Sequence, residues 1–532
     1  MKNRGFRISS LVVTLFAAFV VAAAEWGRAP NGEFWNGHAK RFIYAPAFGF
    51  ATVDGAVRYR YEVTDDFHRR HEFVASGPNA SLDHIWKKLP VGYVTVVCVG
   101  ETAKGAAIRE AGRRTFWKKS AFTGDYPSPS RSFALARNKV YNYFLDMPST
   151  RYLVEHGSPD PSYSLNGYPS KMLGASINAF VTRARTLKGG EAKALVEAAK
   201  KTADYLIADA VPAGCPLECF TRTYAAQGSE YGRFKGKQDT IMLKYPATVG
   251  MAFLNLHTVS GDAKYLEAAE RIGKTYVRLQ GEDGTWFLKQ NAVTGKETAP
   301  NRLLPIDAME FLESLYAATS NESFRAAADR AFSYIEKGPM VDWNWEGQFE
   351  DVEPVENRWG NLSKHPACST AMYLLKRFPG DAGRLAQAEA LLKFSEDQFV
   401  EWTPPYDHHR AADEPAGPDD GSWSFFCKPY SDWVTPCALE QYKCYLPIDS
   451  SAAKMINTYL ALWRATGRSD YLDKARALGA TATRMQEDDG LICTWWMKDV
   501  VRNDNRYHTW TCCLLATARA LDNLALAEKE SK

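Results

Sequence analysis

The period of the hydrophobic positions changes once along this chain. Between about Asn31 and Lys118, apolar residues alternate with polar ones, as in Val57-Arg-Tyr-Arg-Tyr-Glu-Val63, or run together, as in Tyr93-Val-Thr-Val-Val-Cys-Val99. A period of two puts every second side chain on one face, so these segments predict strands, with Gly55, Gly77-Pro78, Gly92 and Gly100 as punctuation. A small antiparallel β-sandwich of the fibronectin-III kind over residues 31–118 is the expectation. Residues 119–160 are rich in Pro, Ser and Tyr and read as a connector, with a candidate helix near Phe133 to Phe144. From residue 161 to 530 the apolar positions recur every three or four residues, the stripe of helices that rest on a core.

The helical part repeats. Leu254 to Gly284 lies over Leu460 to Gly490 without a gap, with identities that include Gly261/Gly467, Tyr265/Tyr471, Leu266/Leu472, Gln280/Gln486 and Asp283-Gly284/Asp489-Gly490. Each copy predicts a helix, a Gly that stops it, and a return helix opened by a Tyr-Leu pair. Degenerate copies follow at Leu315 to Phe324 and at Tyr373 to Phe399, the latter turning at Pro379-Gly380-Asp381. With a hairpin starting near Tyr168 and a last helix from His508, the count is five pairs and a closing helix. Hairpin units repeated at this spacing mean a solenoid or a toroid. Uneven unit lengths and long aromatic loops favour the closed form, so the fold class is mainly α, an (α/α) toroid of helical hairpins carrying a small N-terminal β-sandwich.

Composition adds the compartment. Lys2, Arg4 and Arg7 precede an apolar run from Leu11 to about Val21, and Ala22-Ala23-Ala24 offers a cleavage site, the order of a secretory signal peptide over residues 1–24. The expected product is secreted or periplasmic, with no membrane span after cleavage. Removing those three cations and no acid leaves 62 basic against 62 acidic residues, which takes away any argument from overall charge to nucleic acid. The ten cysteines lack paired His ligands at a zinc spacing, so no metal and no cofactor is expected.

If the first helix of each pair is the inner one, all inner helices begin at one mouth of the toroid. The segments that meet there are Asn166 to Lys171, Lys244-Tyr245, Pro305 to Asp307, Asn361 to His365, Tyr445 to Asp449 and Arg506 to Trp510. They are rich in functional side chains, while the opposite turns are plain. Helix N-termini add positive dipole ends, which favour a carboxylate-bearing ligand.

Chemistry concentrates in four stretches near that mouth. The densest contains Trp345, Glu350, Asp351, Arg358, Trp359, Asn361 and His365; the second contains Tyr406, His408 and Arg410. The third holds Tyr430, Trp433, Glu440 and Tyr442, and the fourth Arg506, His508 and Trp510. Three readings use them. β-Elimination from a uronate needs its carboxylate neutralised and a His or Tyr to move the C5 proton; Asn361, Arg358 and His365 with Tyr406 or Tyr430 supply these. Glycoside hydrolysis needs two carboxylates, for which Glu350 or Asp351 with Glu440 or Asp449 would serve. The third is glycan binding without catalysis. The indoles and remaining polar groups (Trp345, Trp359, His408, Arg410, Trp433, Glu440, Tyr442, Arg506, His508 and Trp510) are candidates for holding a polysaccharide or oligosaccharide.

The Thr466-Gly-x-x-x-Tyr-Leu-x-x-Ala475 turn and the aromatic stretch from Trp433 to Tyr445 resemble the α/α-toroid carbohydrate-active enzymes, the six-hairpin glycosidase-like superfamily. Among lyases, Trp433-x2-Pro436-x3-Glu440-Gln-Tyr442 and the His365 segment look most like polysaccharide lyase family 38. That resemblance implies a uronate-rich glycan as substrate and carries over no catalytic residue one by one. A polysaccharide lyase is therefore the first expectation, with a Glu/Asp hydrolase as alternative.

Overall fold

The computed structural model describes residues 39–225, 236–350, 358–404, 432–498 and 509–531. The signal-like segment and the candidates Asp351, Tyr406, His408, Arg410, Tyr430, Arg506 and His508 lie outside these residues. Among the described residues no helix is long and apolar enough to cross a membrane.

The alternating N-terminal segments form strands β1 (Arg41–Phe42), β2 (Ala47–Gly49), β3 (Arg58–Asp65), β4 (Arg70–Ala75), β5 (Asn79–Ser81), β6 (Gly92–Glu101) and β7 (Ala107–Lys118). One sheet has the order β1-β7-β6-β3-β4, and β2 pairs with β5 in a second, two-stranded ribbon. The period of two does what it should. Tyr59, Tyr61 and Val63 of β3 and Val94, Val96 and Cys98 of β6 are buried together with Phe48 of β2.

The helical part is built from α1 (Phe133–Asp146), α2 (Pro148–His156), α3 (Pro169–Ala184), α4 (Gly189–Ala208), α5 (Tyr245–Ser260), α6 (Ala263–Leu279), α7 (Ile306–Thr319), α8 (Glu322–Lys337), α9 (Lys364–Arg377), α10 (Ala382–Phe399), α11 (Asp449–Thr466), α12 (Ser469–Arg484) and α13 (Thr511–Glu530). Consecutive helices from α3 to α12 pack as five hairpins, and α13 packs against α1. Helices α3, α5, α7, α9, α11 and α13 touch in that order, and α13 returns to α3, so the inner ring closes. This corrects the reading of residues 119–160 as a connector. The sixth hairpin is made from both ends of the toroid, α1 supplying the outer helix and α13 the inner one. The spacing of a hairpin cannot show a pair whose members lie hundreds of residues apart.

The repeated residues explain the closure. Gln280 donates from Nε2 to the carbonyls of Gly284 and of Ala327 on α8, the next outer helix. Gln486 does the same to Gly490 and to Ala136 on α1. Gly284 and Gly490 have φ of 90° and 105°, and a Cβ there would run into the carbonyl oxygens of Arg330 on α8 and Lys139 on α1. Only glycine serves both demands. In the other direction, Tyr265 donates to Asp204 on α4 at 3.2 Å and Tyr471 to Glu389 on α10 at 2.8 Å. The conserved positions of the repeat are thus the stitches between neighbouring hairpins. Gly261 and Gly467 end α5 and α11 in the left-handed region, as the hairpin pattern requires.

The sheet joins the toroid through a buried polar seam at the end of α10. Asp397 Oδ1 accepts from the backbone N–H of Ile43 and Tyr44 at 2.7 and 3.0 Å. Gln398 Oε1 accepts from the backbone N–H of Lys40 and Arg41 and from the Tyr442 hydroxyl. Glu396 pairs with Lys474 at 2.9 Å and accepts from Tyr44 and the Trp402 indole.

Candidate active site

The first turns of the inner helices face a cavity of about 370 Å³ at the centre of the ring. Lys171 of α3, Tyr245 of α5, Asp307 of α7, His365 of α9 and Ser450 of α11 line it, joined by Lys244 just before α5 and Lys454 one turn into α11. Ser363 caps α9 by accepting from the backbone N–H of His365, which fixes the imidazole in the first turn of the helix.

His365 packs edge-on against Phe349, with ring centroids 5.6 Å apart. Burial, followed by the cations Lys364, Lys454, Lys244 and Lys171, pushes its pKa well below the usual imidazole value. The ring is therefore neutral in ordinary buffers and has a nitrogen free of a proton. Lys364 is itself fully buried; burial lowers its pKa to about 7, and its ammonium donates to the Glu440 carbonyl at 2.7 Å and to Ser451.

Below the cavity wall sits Glu350. Its side chain is fully buried, with Lys171 Nζ 2.5 Å from Oε1 and the Tyr245 hydroxyl donating to Oε2. Burial alone would raise its pKa, but the Lys171 ammonium and the Tyr245 hydroxyl outweigh it and hold the group ionised. Glu350 thus anchors two side chains that do face the cavity. Lys171 also lies 4.2 Å from the Trp510 ring centroid, and Trp510 stacks on Tyr168.

The remaining candidates are distributed as follows. Asn361 is buried and bridges loops, donating to the Gly347 carbonyl and accepting from the Lys443 N–H. Arg358 begins a short 3-10 turn, Arg358–Asn361, in which the half-buried Trp359 donates its indole N–H to the Asp342 carbonyl. Trp345 and Trp433 are core residues, and Tyr442 is buried in the seam with its hydroxyl on Gln398 at 2.6 Å. The Glu440 carbonyl binds Ser363 and Lys364. Of the candidates among the described residues, His365 alone lines the cavity, with Glu350 and Trp510 reaching it through Lys171. Lys454, Asn178 and Arg519 were missed because they lie inside helices, away from the aromatic loops that drew attention. A polar residue on the inner stripe of an inner helix was the available signal. No group of three or more His, Cys, Asp or Glu that could hold a metal occurs among the described residues.

No family model and no curated protein matches the chain. Solved structures do. The chain is similar to a D-mannose isomerase, at 14% identity and a TM-score of 0.51 over 74% of this chain and 97% of that one. The fold is an α/α toroid. Other similar structures are a family 76 glycoside hydrolase from a bovine Bacteroides thetaiotaomicron strain (13% identity, 92% and 97% covered, TM-score 0.47) and a polysaccharide lyase (11%, 92% and 64%, TM-score 0.45).

Proposed function

We propose that this chain is a secreted carbohydrate-active enzyme that cleaves a uronic-acid glycan by β-elimination at the toroid cavity. The observation that carries the reading is the His365 imidazole in a cavity rimmed by Lys171, Lys244 and Lys454; burial and those cations favour its neutral form. Cations and helix N-termini favour a carboxylate, and neutralising a uronate carboxylate makes its C5 proton more acidic. His365 takes that proton. The C5–H electron pair becomes the C4–C5 double bond, the C4–O bond breaks, and the imidazolium returns the proton to the departing oxygen. Tyr245, held by Glu350, stands at the same wall to bind a sugar hydroxyl. The signal-like N-terminus supports export, where such polymers are met.

The test is a panel of alginate, glucuronan, pectate and neutral glycans, read for ultraviolet absorbance of the new double bond and for reducing ends. Both signals should rise together on one acidic glycan. Reducing ends without the chromophore would overturn elimination in favour of hydrolysis.

A further inference from the structure

The cavity is not equally deep all round. On α7 and α9 it reaches only the first turn or two, at Asp307 and Ser369. On α3 it follows one face from Lys171 to Thr182, ~16 Å along the axis, and on α13 from Cys512 to Arg519, ~10 Å, at ~1.5 Å per residue. Gly174, Ala175 and Ala516 keep that wall open.

The far end carries hydrogen-bond donors. Arg519 is exposed and makes no ion pair or hydrogen bond among the described residues, since Asp522, one turn on, is taken by Arg137. Asn178 Oδ1 already accepts from Asn255 at 2.9 Å, and Asn457 Oδ1 from Asn523 at 2.8 Å, which leaves both Nδ2 groups as donors. Tyr141 of α1 also lines the cavity, and its hydroxyl makes no hydrogen bond among the described residues.

Building on the lyase reading, we propose that this end is a second anion subsite. Arg519, Asn178, Asn457 and Tyr141 receive the carboxylate of a sugar one or more units away from the one at His365. The substrate then enters lengthwise along α3 and α13, and recognition requires acid groups on more than one sugar. A guanidinium suits this role because its planar fork matches a carboxylate.

The experiment is titration calorimetry on the His365→Ala protein, which removes turnover, with β-1,4-linked triglucuronate and its carboxyl-free counterpart cellotriose. Arg519→Leu should weaken triglucuronate binding about ten- to a hundredfold and leave cellotriose unchanged. Asn178→Asp, which keeps the bond from Asn255 and adds an opposing charge, should weaken it too. Arg519 is exposed, so its variant should melt with the parent. Unchanged triglucuronate affinity in both variants would overturn the subsite while the absorbance assay still reports elimination. No binding of triglucuronate by the parent, together with no chromophore from any acidic glycan, would overturn the lyase reading and this subsite with it.

Discussion

Two buried polar clusters in this molecule look alike in composition and differ in bookkeeping. At the seam between sheet and toroid, Glu396, Asp397 and Gln398 all have partners: an ammonium, two backbone N–H groups, and a mixture of backbone and phenol. At the cavity, cations outnumber acids. Lys171 is answered by Glu350, but Lys244 lies over the Phe349 ring and Lys454 bonds only Ser369, with no acid at ion-pair distance among the described residues. Buried charge is costly unless paired, so a closed cluster is what structure needs, and an open one signals a partner still to come. The seam holds the fold; the cavity's cations are what the proposed uronate would meet.

Substitution at the two places should separate these roles. The largest effect is expected for His365→Ala. Loss of a proton-transfer group should lower kcat by about 10²–10⁴-fold, with the melting temperature little changed. Steady-state kinetics beside a thermal melt checks it, and full activity in the variant would remove the cavity from the chemistry. Lys474→Met should give the reverse pattern. It leaves Glu396 buried without its ammonium, a change that costs about 3–5 kcal/mol, so denaturant unfolding should shift strongly. The folded fraction should retain its turnover per active site.

The same contrast shows what could be read beforehand. The hairpin repeat was legible because stitching residues such as Gln280/Gln486 and Gly284/Gly490 must recur wherever two hairpins meet. The sixth hairpin was not, since Phe133 on α1 meets Leu524 on α13 only after the ring closes, the two packing where Gly479 leaves room as Phe324 and Leu315 pack at Gly273. For the site, His365 stood out because it closes the segment Asn361 to His365, one of those that lead into an inner helix at the mouth. Trp345, Trp433 and Tyr442 drew attention as rings to hold a sugar but went to the core and the seam, because a large ring fills a gap between loops as readily as it stacks on a sugar. Type alone does not separate those fates; the geometry of the ring does.

The smallest expected effect tests whether the seam is as closed as it looks. Burial, opposed by Lys393 and by the N–H groups of Tyr44 and Ile43, pushes the Asp397 carboxyl up to about 7, with Glu396 adding to the rise. Between its ordinary value near 4 and about 7, the folded chain therefore holds a proton that the unfolded chain has released. Stability must fall as pH rises through that window and level off above it. Asp397→Asn keeps an oxygen for the two N–H groups and removes the titration. Melting curves should coincide with the parent at about pH 4, and the variant should melt higher at about pH 8. An offset that is the same at both pH values would mean that the seam stays ionised. Asp397 would then belong with the paired charges, and the contrast between seam and cavity would rest on the count of partners rather than on protonation.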